Sequence, residues 1–98
     1  MSHYRFVAIE TFRNPGEPSS ASVRARPLPN QGLSLSMRVE CSSKMRKDHP
    51  IGTVFIIQAQ IISKESGSDF LYTHYNSPYT VILRSEAEEK INTGTLSP

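Results

Sequence analysis

A chain of 98 residues has room for one domain with one core and is too short for a deep cleft between two. It holds a single cysteine, Cys41, which excludes an internal disulfide and a thiolate-rich metal site. The net charge of +2 is mild but unevenly spread: residues 1–50 carry eight Lys or Arg against four acids, and residues 51–98 carry three against five.

That asymmetry points to a basic surface in the first half, facing an anionic partner. The opening MSHYRF lacks the basic-then-apolar layout of a secretory signal. No apolar run reaches the roughly 18 residues that a spanning helix needs. A soluble, cytoplasmic protein with no membrane association is therefore expected, and no cofactor motif is present.

In chain order, HYRFVAIETFR (3–13) is rich in aromatic and β-branched residues and predicts a first strand. Phe6, Ala8 and Phe12 fall on one face and Val7 and Ile9 on the other, so both faces are expected to be covered. NPGEPSSA (14–21) has loop chemistry. SVRARPL (22–28) predicts a short strand that Pro27 confines to an edge. Residues 33–41 alternate cleanly, with Leu33, Leu35, Met37, Val39 and Cys41 inward, and predict a third strand.

SSKMRKDHP (42–50) reads either as one helical turn capped by Ser42 or Ser43, or as an extended basic loop. Thr53 to Lys64 is the longest strand, with Phe55, Ile57, Ala59 and Ile61 on one face; its other face begins apolar at Val54 and Ile56 and turns polar at Gln58 and Gln60. SGSD turns the chain back through Phe70 to Asn76, and Ser77-Pro78 kinks it before Tyr79 to Arg84. SEAEEKI (85–91) predicts a short helix capped by Ser85, its first-turn acids suiting the helix dipole. The tail, 92–98, is expected to fray.

These elements predict an all-β fold, or a β-rich one with one or two short helices: a small five- to six-stranded, mostly antiparallel barrel or sandwich spanning residues 1–91. The order of elements matches the five-stranded OB-type barrel, with a helix or loop between the third and fourth strands. An SH3-like barrel or a two-sheet sandwich reads similarly.

If Ala25 pairs with Met37 across the second and third strands, Arg24 lies opposite Arg38 and Arg26 opposite Ser36. Like charges opposed in this way repel unless an anion or Glu40 relieves them. With Lys44, Arg46 and Lys47 these side chains form a candidate nucleic-acid or anion-binding face. Tyr72, Tyr75 and Tyr79, together with His74, are the candidate stacking or rim groups. The function expected is a non-enzymatic module for single-stranded nucleic acid or another anionic partner.

The alternative is a protein-binding or accessory module, including a homodimer joined through an edge strand. A small enzyme using His74 or Cys41 ranks third. Cys41 alternates inward with Val39, and the histidines at 3, 49 and 74 have no metal-ligand spacing.

Overall fold

The structure, a computed structural model, describes residues 4–13, 23–63, 67 and 69–97. The strands are β1 (Arg5–Arg13), β2 (Val23–Pro27), β3 (Arg38–Glu40), β4 (Val54–Ile62), β5 (Phe70–Tyr72) and β6 (Tyr79–Ile82). Two helices, α1 (Ser43–Lys47) and α2 (Arg84–Thr93), complete the chain. The predicted loop 14–21 and part of the SGSD turn lie outside the described residues.

The sheet runs β2-β1-β4-β5-β3, with β6 beside the first half of β4. It curls into a nearly closed barrel, as the strand-rich pattern predicted. β1 and β4 form its spine in antiparallel register, Val7 facing Ile57 and Ile9 facing Phe55. Both strands are apolar on two faces because each face is covered. Val7, Ile9, Phe55, Ile57 and Ala59 point into the barrel with Val39, Leu71 and Met45. Ala8 and Val54 point outward, against Leu28 and against Ala87 of α2. Each fully buried Val, Leu, Ile, Phe or Met side chain among these contributes about 1.5–3 kcal/mol relative to exposure, and each alanine less.

The segment before α1 is a true helical turn. Ser42 is its N-cap and accepts from the Met45 N–H, which seats the Met45 side chain, 3% exposed, in the core. After β5 the chain leaves the ladder over residues 73–78 and rejoins β4 as β6, so one returning strand is split in two. The Thr73 hydroxyl donates to Gln58 O at 2.6 Å across that interruption.

Four expectations change. The strand predicted over 33–41 shrinks to Arg38–Glu40, and Leu35 is 53% exposed. Its local chemistry favours turns: Asn30 and Gly32 take positive φ, Met37 N–H donates to Ser34 O, and the Ser34 and Ser36 hydroxyls pair at 2.8 Å. Second, β2 pairs with β1 rather than with β3, so Arg24 stands opposite Phe12 and Arg26 opposite Glu10. An unlike-charge pair at Arg26–Glu10 replaces the like-charge pair expected at Arg24–Arg38, and is the favourable cross-strand choice.

Third, Ile61 is 44% exposed, since β1 reaches along β4 only as far as Ala59 and leaves that end of β4 with β5 alone. Fourth, α2 begins at Arg84 with Leu83 as N-cap and no side-chain cap, so Ser85 lies inside the helix. Residues 92 and 93 belong to α2, Gly94 closes it in the left-handed conformation, and Leu96 packs against the Ala8 cluster.

Gln31 joins the turn segment to the barrel. Its side chain accepts from Ala8 N–H at 2.8 Å and donates to Ala8 O and Leu28 O at 2.8 and 2.9 Å. One amide thus continues the β1 ladder beyond Pro27, where β2 stops.

Candidate anion-binding site at the strand seam

β2 and β3 are the two ends of the sheet path, and among the described residues no backbone ladder joins them. A cavity of about 360 Å³ opens at this seam. Its polar wall carries Arg24 and Arg26 of β2, Arg38 and Glu40 of β3, and Arg46 of α1. Phe12 and Leu35 flank it, and Ala25, Met37, Val39 and Cys41 form an apolar floor continuous with the barrel core. Four guanidiniums against one carboxylate leave this lining with a local charge of +3.

The guanidiniums are held from behind. Arg26 Nε donates to Glu10 Oε1 at 2.9 Å, and its guanidinium lies 4.5 Å from the centroid of the Phe12 ring. Glu10 is 8% exposed and also accepts from Arg84 Nη1, which ties the first turn of α2 to the barrel. Arg84 has its pKa raised by the hydrogen bond to Glu88 and then by the charge of Glu10. Arg38 Nε meets Glu40 at 3.1 Å, with 62% of the arginine side chain in solvent.

Arg46 is the distinctive member. Its Nη1 donates to Val23 O at 3.1 Å, on the β2 side of the seam. Its Nε is buried and has no acceptor among the described residues. A buried donor left unpaired costs about 1–3 kcal/mol, so such groups call for an explanation. Here the unpaired donor belongs to a side chain that lines the cavity.

Of the other predicted residues, Lys44 and Lys47 lie exposed on α1 and do not line the cavity. Tyr72 is half-buried on β5, in register with Glu40 on one side and Gln60 on the other. His74 and Tyr75 are exposed and stack on each other, with centroids 4.6 Å apart and rings inclined by 27°. His74 Nδ1 accepts from Asn76 N–H at 3.1 Å. Tyr79 sits elsewhere, its hydroxyl 3.1 Å from His49 Nε2 and its ring edge-on to Phe55.

None of these four rings lines the arginine cavity. β3 and β5 are parallel, however, and Thr73 N–H donates to Glu40 O at 3.0 Å. The His74–Tyr75 pair and the start of α1 therefore leave the barrel at the same end.

Glu10 and Phe12 were not singled out from the sequence; their position on β1 opposite Arg26 and Arg24 is what brings them in. Burial pushes the Cys41 thiol up, with the opposing charge of Arg46 the smaller influence. This is the environment of a packed thiol rather than of a nucleophile. Among the described residues no three His, Cys, Asp or Glu side chains gather as metal ligands, and no helix is long and apolar enough to cross a membrane. No protein-family model matches this sequence, and no curated protein and no solved structure is significantly similar to it.

Proposed function

We propose that this chain is a non-enzymatic binding module for an anionic partner, with single-stranded nucleic acid as the partner class that fits it best. The observation that carries the reading is the gathering of Arg24, Arg26, Arg38 and Arg46 around one cavity, where Glu10 and Glu40 pair with Arg26 and Arg38 and leave the cluster with a positive excess. Guanidiniums offer planar, forked donors suited to phosphate oxygens, and they keep their charge at every physiological pH.

The topology supports the same reading by analogy. With α1 between β3 and β4, the neighbours run β2-β1-β4-β5-β3, and the arginine cavity lies between β2 and β3. OB-type barrels bind oligonucleotides on the face of their second and third strands. Fold-level likeness is an association, so the argument rests on the cavity itself. Lys44 and Lys47 add exposed positive charge on α1, and the exposed His74–Tyr75 stack offers a base a ring to lie against.

Fluorescence anisotropy with mixed-sequence 12-nucleotide DNA and RNA tests this reading. Binding that weakens with salt and drops at least tenfold in the Arg24→Ala, Arg38→Ala double variant is the expected result. No binding in 50 mM salt, or affinity unchanged in that variant, overturns it.

A second reading is a protein-binding module, including a homodimer. β6 pairs only with β4 among the described residues, and Val81 on it and Leu83 just after it are 51% and 66% exposed. An uncharged strand edge of this kind accepts a further strand. Light scattering across a hundredfold concentration range distinguishes a dimer from a monomer.

A further inference from the structure

Resting on the nucleic-acid reading, we propose that the seam cavity seats the terminal phosphate of a single strand, a phosphomonoester, rather than an internal phosphodiester. The first argument is the concentration of charge. Four guanidiniums and one carboxylate converge on a single cavity instead of lying in a row. A strand held by successive internal phosphates presents one negative charge at a time and is best met by cations spaced along a groove. A terminal phosphate brings about −1.5 to −2 charges and three acceptor oxygens to one point, which a convergent set of arginines matches.

The second argument is shape. The floor of the cavity is barrel core: Ala25 and Val39 are 7% and 8% exposed and belong to the interior cluster. A strand cannot thread through that floor, so a terminal group can fill the cavity while an internal phosphate only dips into it from the mouth. A volume of about 360 Å³ is in the range of small-ligand sites and takes one terminal nucleotide.

The third argument is Arg46, whose side chain lines this cavity and whose buried Nε has no acceptor among the described residues. Nη1 is already given to Val23 O, so Nε meets an anionic oxygen only when the guanidinium turns toward the cavity. The following nucleotides then pass the mouth of the seam toward α1 and the His74–Tyr75 stack, which leave the barrel together.

The test compares one 8-nucleotide sequence carrying a 5′-phosphate, a 3′-phosphate or neither, by competition against a labelled strand, with inorganic phosphate and a phosphoserine peptide as further competitors. The inference expects one phosphorylated end to bind at least tenfold more tightly than the unphosphorylated strand. It also expects that preference to vanish in Arg46→Met. Because Arg46 touches β2, the exposed Arg38→Ala variant is measured beside it, with circular dichroism confirming that each is folded.

Equal binding of all three strands overturns the terminal-phosphate inference and leaves the nucleic-acid reading standing. No binding of any strand overturns both. Inorganic phosphate or the phosphopeptide competing as strongly as the phosphorylated strand overturns the inference in favour of a small anion or a peptide.

Discussion

Replacing Gln31 by leucine keeps the bulk of the side chain and removes all three of its hydrogen bonds to the backbone. Ala8 and Leu28 are both 0% exposed, so water does not take over. Ala8 N–H loses its acceptor and Leu28 O loses its Nε2 donor, while Ala8 O keeps the Leu28 N–H at 3.0 Å. Two buried polar groups left unpaired, at about 1–3 kcal/mol each, give an expected loss of about 2–6 kcal/mol. At ~4–8 °C per kcal/mol for a domain of this size, the melting temperature falls by at least about 8 °C.

Thermal and urea unfolding followed by circular dichroism measure this directly. Gln31→Glu is no rescue, because a carboxylate accepts from Ala8 N–H but cannot donate to either carbonyl. Gln58→Leu is the control, since that exposed side chain should change stability by no more than about 0.5 kcal/mol. Gln31 also anchors the turn that carries Leu35 and Met37 into the cavity wall, so the variant should weaken anion binding as well. A loss below about 0.5 kcal/mol for Gln31→Leu would refute the reasoning.

Glu10→Gln weakens the clamp on Arg26 and Arg84 and should cost about 1–2 kcal/mol in urea unfolding, below the cost at a fully buried pair because both arginine side chains are about half in solvent. Gly94→Ala meets no neighbouring atom, so only the backbone strain of φ +70° is felt; a loss of roughly 1–2 kcal/mol is expected, and less for Gly94→Asn. Cys41 should react slowly with iodoacetamide in the folded state and quickly in denaturant. Since folding raises its pKa, the folded thiol holds its proton where the unfolded one has lost it, and stability should fall as pH rises through the ordinary thiol range. Cys41→Ala should flatten that alkaline decline.

The spine of the fold was legible because its causes are local. β1 and β4 are apolar on both faces, and the burial of Val7, Ala8, Val54 and Phe55 follows from that pattern. A serine cap at Ser42 or Ser43 made the short helix one of two readings of that segment, and the Ser42 bond to Met45 N–H decides between them. Strand partners were not legible. Alternation from Leu33 to Cys41 is compatible with a strand, yet the φ of Asn30 and Gly32 and the serine hydrogen bonds turn that chain instead. The parallel pairing of β3 with β5 joins residues some thirty positions apart, and nothing local marks it.

The candidate site shows the same division. Arg24, Arg26, Arg38 and Arg46 were all named from the sequence, the first three for a register that does not exist and Arg46 for its place in a basic segment. They meet because β2 and β3 face one another across an open seam and α1 reaches over to Val23 O. Glu10 went unnoticed because a carboxylate in an apolar strand explains itself only once Arg26 and Arg84 stand beside it.

The central claim, that the seam arginines hold phosphate, is tested most directly by the salt dependence of oligonucleotide binding. For single strands each neutralised phosphate contributes a slope of about 0.7 in log Kd against log salt. The account predicts a slope that falls by about 0.7–1.4, the share of the one phosphate seated in the seam, when Arg24, Arg38 and Arg46 are replaced together by methionine. A slope that the triple variant leaves unchanged would contradict it.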